Sequence, residues 1–109
     1  MNREKFNEIF EEQVQRSRET LGFKAKEYAT TDRLHNFKVA AEYLGMSPEQ
    51  ACLAFATKHF VSIADMCHNV TYGETYDLSV WNEKIGDAIN YLFLLRAIVQ
   101  ERAENQFNY

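Results

Sequence analysis

Apolar residues recur at intervals of three and four along most of this chain, and that spacing predicts helices. From Asn2 to about Gly22, Phe6, Ile9, Phe10, Val14 and Leu21 fall near helical spacing with Glu and Arg between them. Gly22 either ends this helix or only loosens it, and Lys24-Ala-Lys-Glu-Tyr28 can carry it onward. Thr30-Thr-Asp32 is the next start signal. Asp32 suits the N-cap of a helix bearing Leu34, Phe37, Val39, Ala40, Tyr43 and Leu44, and Gly45 suits its C′ position.

The clearest local signal is Ser47-Pro48-Glu49-Gln50, where Ser47 can cap, Pro48 fits the first helical position and Gln50 completes a capping box. The helix it opens runs through Leu53, Phe55, Phe60, Ile63 and Met66 to about His68, apolar on nearly every face, as expected of a central helix. Thr71 to Ser79 reads as a mobile loop, with Asp77 or Ser79 capping a last long helix from Trp81 through Leu95. No window alternates as a strand would. The expectation is therefore an all-α four-helix bundle, one domain over residues 1–109, with a frayed tail at 104–109.

Within that last helix, Glu83, Asp87 and Asn90 form a polar stripe on an otherwise apolar rod. The preceding helix offers Lys58, Ser62 and Asp65 at helical spacing, with His59 beside them. If the two rows face each other they line a polar pocket. Glu83 and Asp87 repel at i,i+4, so a cation is expected between them and their surroundings. Two candidates stand. Mg2+ can take oxygen ligands from Asp65, Glu83 and Asp87, with Lys58 meeting a phosphate. Alternatively Lys58 pairs with Glu83 or Asp87 and closes a buried ion pair. His59 reads as a hydrogen-bonded core or edge histidine, and His35 and His68 as surface residues. Tyr28, Tyr43 and Tyr91 read as packing residues. Tyr28 and Phe37 also have the chemistry to stack on a base, and Asp32-Arg33-Leu34-His35-Asn36 is rich in donors.

Composition narrows the classes. A formal net charge of -4 disfavours direct nucleic-acid binding through the phosphate backbone, though not a nucleotide chelated to a divalent metal. No apolar run spans a bilayer and no signal peptide is recognised, so no membrane partner is expected. Cys52 and Cys67 lie on one helix, fifteen residues or roughly 22 Å apart at about 1.5 Å per residue, too far to pair. A reducing, cytoplasmic setting follows as the expectation.

Lys24-Ala-Lys-Glu-Tyr28, Asp32-Arg-Leu-His-Asn36-Phe37, Lys58, and Glu83-Lys-Ile-Gly-Asp87 with Asn90-Tyr91-Leu together resemble a group of small phage and prophage proteins. These are similar to the MazG-like all-α nucleotide pyrophosphohydrolases and to nucleotide-modification-associated phage domains, over about Lys24 to Val99. The resemblance implies an oligomeric helical bundle that binds a nucleoside triphosphate through Mg2+ and cleaves it to the monophosphate. In that pattern Asp87 matches the last acid and Glu83 the one before it. The resemblance further implies Asp65, Glu83 and Asp87 as catalytic and metal-holding residues, with Lys26, Tyr28, Asn36, Lys58 and Asn90 contacting ligand. Two departures stand out: Lys84 occupies a position that is often a ligand, and the acid pair of the preceding helix is missing, with Lys58 and Asp65 there instead. The alternative function is non-catalytic, a phage-encoded inhibitor or adaptor that binds a host protein such as a CRISPR-type defence nuclease. Its candidate surfaces are Glu8-Glu11-Glu12 and Glu74-Asp77. In a third possibility the acid stripe only orients helices in a homo-oligomer.

Overall fold

The computed structural model describes residues 1–27 and 32–106, with the side chains of 23–27 and 106 left aside. Among these residues there are four helices and no strand: α1 (Arg3–Glu27), α2 (His35–Leu44), α3 (Pro48–Thr71) and α4 (Leu78–Gln106). The all-α expectation is met. The chain falls into two compact units, Met1–Arg33 and Leu34–Tyr109.

The first unit is α1 and the residues after it. Its helix continues through Gly22 to Glu27, so the glycine loosens nothing visible in the backbone. Gln13 donates to the Ser17 hydroxyl at 3.0 Å, and Ser17 is buried. The Arg33 guanidinium donates to the Leu21 carbonyl at 3.0 Å, tying the segment after the helix back to its last third.

The second unit is an antiparallel hairpin of α3 and α4 with α2 packed on it. Three cross-helix contacts fix the register. Arg102 meets Glu49, the Cys52 thiol lies 3.6 Å from the Tyr91 carbonyl, and His59 faces Asp87. Ala51, Cys52, Ala56 and Ala88 are buried along this seam. Their small side chains allow the two helices to approach closely, and each is tightly surrounded in consequence. Leu34, Phe37, Cys52 and Ile98 form the core, with Tyr91, Leu94 and Leu95 packed against it.

The ends of these helices follow from local chemistry. Ser47 accepts from the Gln50 amide at 3.2 Å while the Gln50 side chain accepts from the Ser47 amide at 2.9 Å, a complete capping box with Pro48 behind it. Gly45 ends α2 at φ 66°, the left-handed region where an L side chain is strained. Asp32 does not cap α2. The helix begins at His35 with Leu34 in the cap position and no side-chain cap. Leu34 is instead buried in the core, so packing rather than capping sets that start.

Three other expectations are revised. Tyr43 is exposed, because Phe37 and Ala41 take the buried face of α2 and Tyr43 lies about 200° round from Ala41. The α3 helix is not apolar-packed all round, since Leu53, Val61 and Val70 are exposed. The loop between α3 and α4 is braced. Asn69 donates to the Tyr76 hydroxyl at 2.9 Å, that hydroxyl donates to Glu74 at 3.1 Å, and the Tyr76 ring stands edge-on to Trp81. Cys52 and Cys67 are both thiols, as their separation requires.

Candidate functional site

The α3/α4 register brings one pair of ionisable groups together at the middle of the hairpin. His59 Nδ1 lies 3.6 Å from Asp87 Oδ2, with the His59 side chain only 14% exposed and that of Asp87 39%. At that separation the contact is electrostatic, longer than a hydrogen bond, and ionic only when the ring is protonated. The imidazole also packs against the Tyr91 ring, centroid to centroid 5.2 Å. One turn beyond Asp87, the Asn90 side-chain oxygen is buried without a hydrogen-bond partner. A buried acceptor left unpaired costs free energy, so the position favours any donor that reaches it.

The side chain that faces Asp87 is therefore His59, not the Lys58 that the sequence offers. Lys58 is exposed and has no ion pair among the described residues, because it lies roughly 100° round α3 from His59 and points off the seam. Ser62, in the same row, donates its hydroxyl back to the Lys58 carbonyl at 3.0 Å. Asp65 and Glu83 are likewise exposed. Among the described residues no three His, Cys, Asp or Glu side chains gather as a metal-holding group, so Asp65, Glu83 and Asp87 do not form a shared cage. The donor set that remains near the seam is Asp87 with its neighbours. One carboxylate fits Mg2+ that arrives already chelated by phosphates, which commonly keeps only one or two protein ligands. It does not fit a resident ion held by protein alone.

The remaining predicted positions are scattered. Asn36 is exposed on the first turn of α2. Phe37 is buried, its ring tilted against Phe55 at 5.8 Å, and so is not available to stack on a base. Tyr28 and the side chain of Lys26 lie outside the described residues. His35 and His68 are exposed, as expected, and His68 rests against Tyr72.

Sequence reasoning passed over one residue of this neighbourhood. Lys84, noted only as a departure from an acidic pattern, is half-buried one turn before Asp87 and joins no ion pair among the described residues. Its place in a seven-residue rhythm with Tyr91 and Ile98 was the signal that could have found it, since that rhythm marks a packed side of α4.

Elsewhere in this unit a pocket of about 270 Å³ has a floor of Leu34, Pro48 and Ile98. Two ion pairs border it, Lys38–Glu101 at 2.6 Å and Arg102–Glu49 at 2.8 Å. Hydrogen bonding to the Arg102 guanidinium holds the Glu49 carboxyl below its ordinary range, and the same contact raises Arg102. With both cations engaged by carboxylates, this pocket offers a phosphate little. It contains none of the residues that the sequence nominates. No helix is long and apolar enough to cross a membrane among the described residues. Compared with known proteins, the chain matches no family model, no curated protein and no solved structure.

Proposed function

We propose that this is a phage-type, MazG-like protein of oligomeric helical-bundle form that binds a nucleoside triphosphate with its Mg2+. The observation that carries the reading is the half-buried His59–Asp87 pair beside the unpartnered oxygen of Asn90. Asp87 offers a carboxylate to the phosphate-bound metal, Lys84 offers a point charge to a phosphate oxygen, and Asn90 offers its side-chain amide to the base or sugar once its buried oxygen turns outward. Glu83, exposed one turn before Asp87, is a second carboxylate within the same stretch of α4. The reading is of binding. Hydrolysis requires an activated water, and the acid pair that would serve it is missing from α3.

Thermal unfolding across ribo- and deoxyribonucleoside triphosphates, with and without Mg2+, tests this. A ligand at a hundred times its Kd stabilises by about 2.7 kcal/mol, a shift readily seen. Asp87→Ala is expected to abolish the shift. A flat response to every nucleotide, with and without metal, overturns the reading.

A second reading, of another class, is favoured by α1. There Phe6, Ile9 and Phe10 are exposed at 60%, 43% and 55%, close to the carboxylates of Glu8, Glu11 and Glu12. Apolar anchors among acidic residues suit an adaptor or inhibitor that docks on a basic host protein, such as a defence nuclease. It requires a stoichiometric complex with a purified nuclease that Phe6→Ser with Phe10→Ser disrupts. Complex formation indifferent to both substitutions counts against it.

A further inference from the structure

Along α4, Leu78, Ile85, Leu92 and Val99 follow one another every seven residues, and all are exposed, at 72%, 39%, 51% and 47%. Seven residues are close to two turns, so the four side chains make one row roughly 32 Å long at about 1.5 Å per residue. The row is displaced round the helix from Ala88 in the sense opposite to Tyr91, Leu94 and Ile98, which belong to the core shared with α2. A matching row on α3, Leu53, Phe60 and Cys67, again seven apart, is displaced from the buried Ala56 away from Phe55, which meets Phe37 of α2. Because α3 and α4 are antiparallel, both rows open on one side of the hairpin, the side opposite α2. The acids Glu83, Asp87 and Glu101 stand on the other side of α4, and Arg96, hydrogen-bonded to Gln100, flanks the row.

A water-exposed heptad row of Leu, Ile, Leu and Val is a coiled-coil seam lacking its second strand. We infer that a second copy of this chain docks there, α4 against α4 and turned end for end. The row favours self-association over a foreign partner because it is apolar at every step and so matches itself in reverse. About a two-fold axis near Ala88 and Ile89, Ile85 meets Leu92 and Leu78 meets Val99. The size also suffices. A face roughly 32 Å long on α4 and about 21 Å on α3, each helix about 10 Å wide, buries on the order of 500 Å² per chain, or about 1,000 Å² in all, which meets the lower bound for a specific interface. Depletion of charge at its centre is what the core of a homodimer interface shows. This inference rests on the oligomeric part of the reading above and is independent of nucleotide binding.

Sedimentation equilibrium of the full chain between about 1 and 100 μM, a range that brackets micromolar association, tests it. The expected mass is twice 12.8 kDa. Ile85→Glu with Leu92→Glu is expected to weaken association at least about a hundredfold, by burying charge in an apolar seam, while Tyr43→Ser, exposed on α2, leaves it unchanged. A monomer at every concentration overturns both the interface and the oligomeric reading. A dimer that survives the double substitution with its helical circular dichroism intact overturns the interface alone. Should the double variant not fold, Ile85→Cys with Leu92→Cys in a Cys67→Ser background decides. Oxidation is expected to give a covalent dimer, and its absence contradicts the seam.

Discussion

At the scale of single residues, two positions have sharply defined environments. Gly45 adopts φ 66° with no heavy atom within 4 Å of where a Cβ would stand, so its role is conformational, not steric. Gly45→Ala is expected to cost about 1 kcal/mol, and Gly45→Asn less, by urea denaturation. An alanine as stable as the wild type would show that α2 does not end through this residue. Cys52 is buried and desolvation pushes its thiol up, whereas Cys67 is exposed. Alkylation of the native monomer, at dilution below dimer formation, is expected to modify Cys67 and spare Cys52 until unfolding. Equal rates for the two would mean that the α3/α4 seam opens readily.

At the scale of elements, the capping box, the Gly45 stop and the long polar-striped last helix were all legible in the sequence, because each depends on residues within one turn of one another. The Asp32 cap was not realised, because burying Leu34 beside Phe37 and Ile98 outweighed a local hydrogen bond. Ser47→Ala is expected to lower stability by about 1 kcal/mol, since it leaves the Gln50 amide without its acceptor. No loss on substitution would show the cap to be redundant with packing. The Glu49–Arg102 pair joins the start of α3 to the end of α4, and no periodicity in either segment foretold it. Its pH dependence has a definite sign. Glu49 titrates below its ordinary value when folded, so its contribution is present above that ordinary value and is lost as the pH falls through the lowered one. Arg102→Ala is expected to lower the neutral plateau of the stability curve modestly and so to flatten its acid limb, the two proteins converging at acid pH. An acid limb identical in both proteins would remove this pair from the account.

At the scale of the whole molecule, the polar row of α4 was legible but its partner was not. The sequence offered Lys58 as the side chain opposite Asp87, and the antiparallel register puts His59 there. The difference is one residue along α3, about 100° round its axis, which is the step that separates a seam position from an outward one. Asp65 and Glu83 fell outside for the same reason: three and four residue spacings show which residues share a face, not which face meets the neighbouring helix. The exposed heptad row was overlooked because exposure is a property of the packed structure. In the sequence Leu78 reads as part of the loop, and Ile85 and Leu92 as part of an apolar rod with no face distinguished. The central functional claim is that a nucleoside triphosphate with Mg2+ is held at Asp87 and its neighbours on the α3/α4 seam. Calorimetric titration of the nucleotide giving the largest thermal shift, with Mg2+, onto the native protein and onto Asp87→Ala and Tyr43→Ser, tests it most directly. Saturable binding is expected, lost in Asp87→Ala and retained in Tyr43→Ser. Equal affinity in all three proteins, or no heat of binding in any, would contradict it.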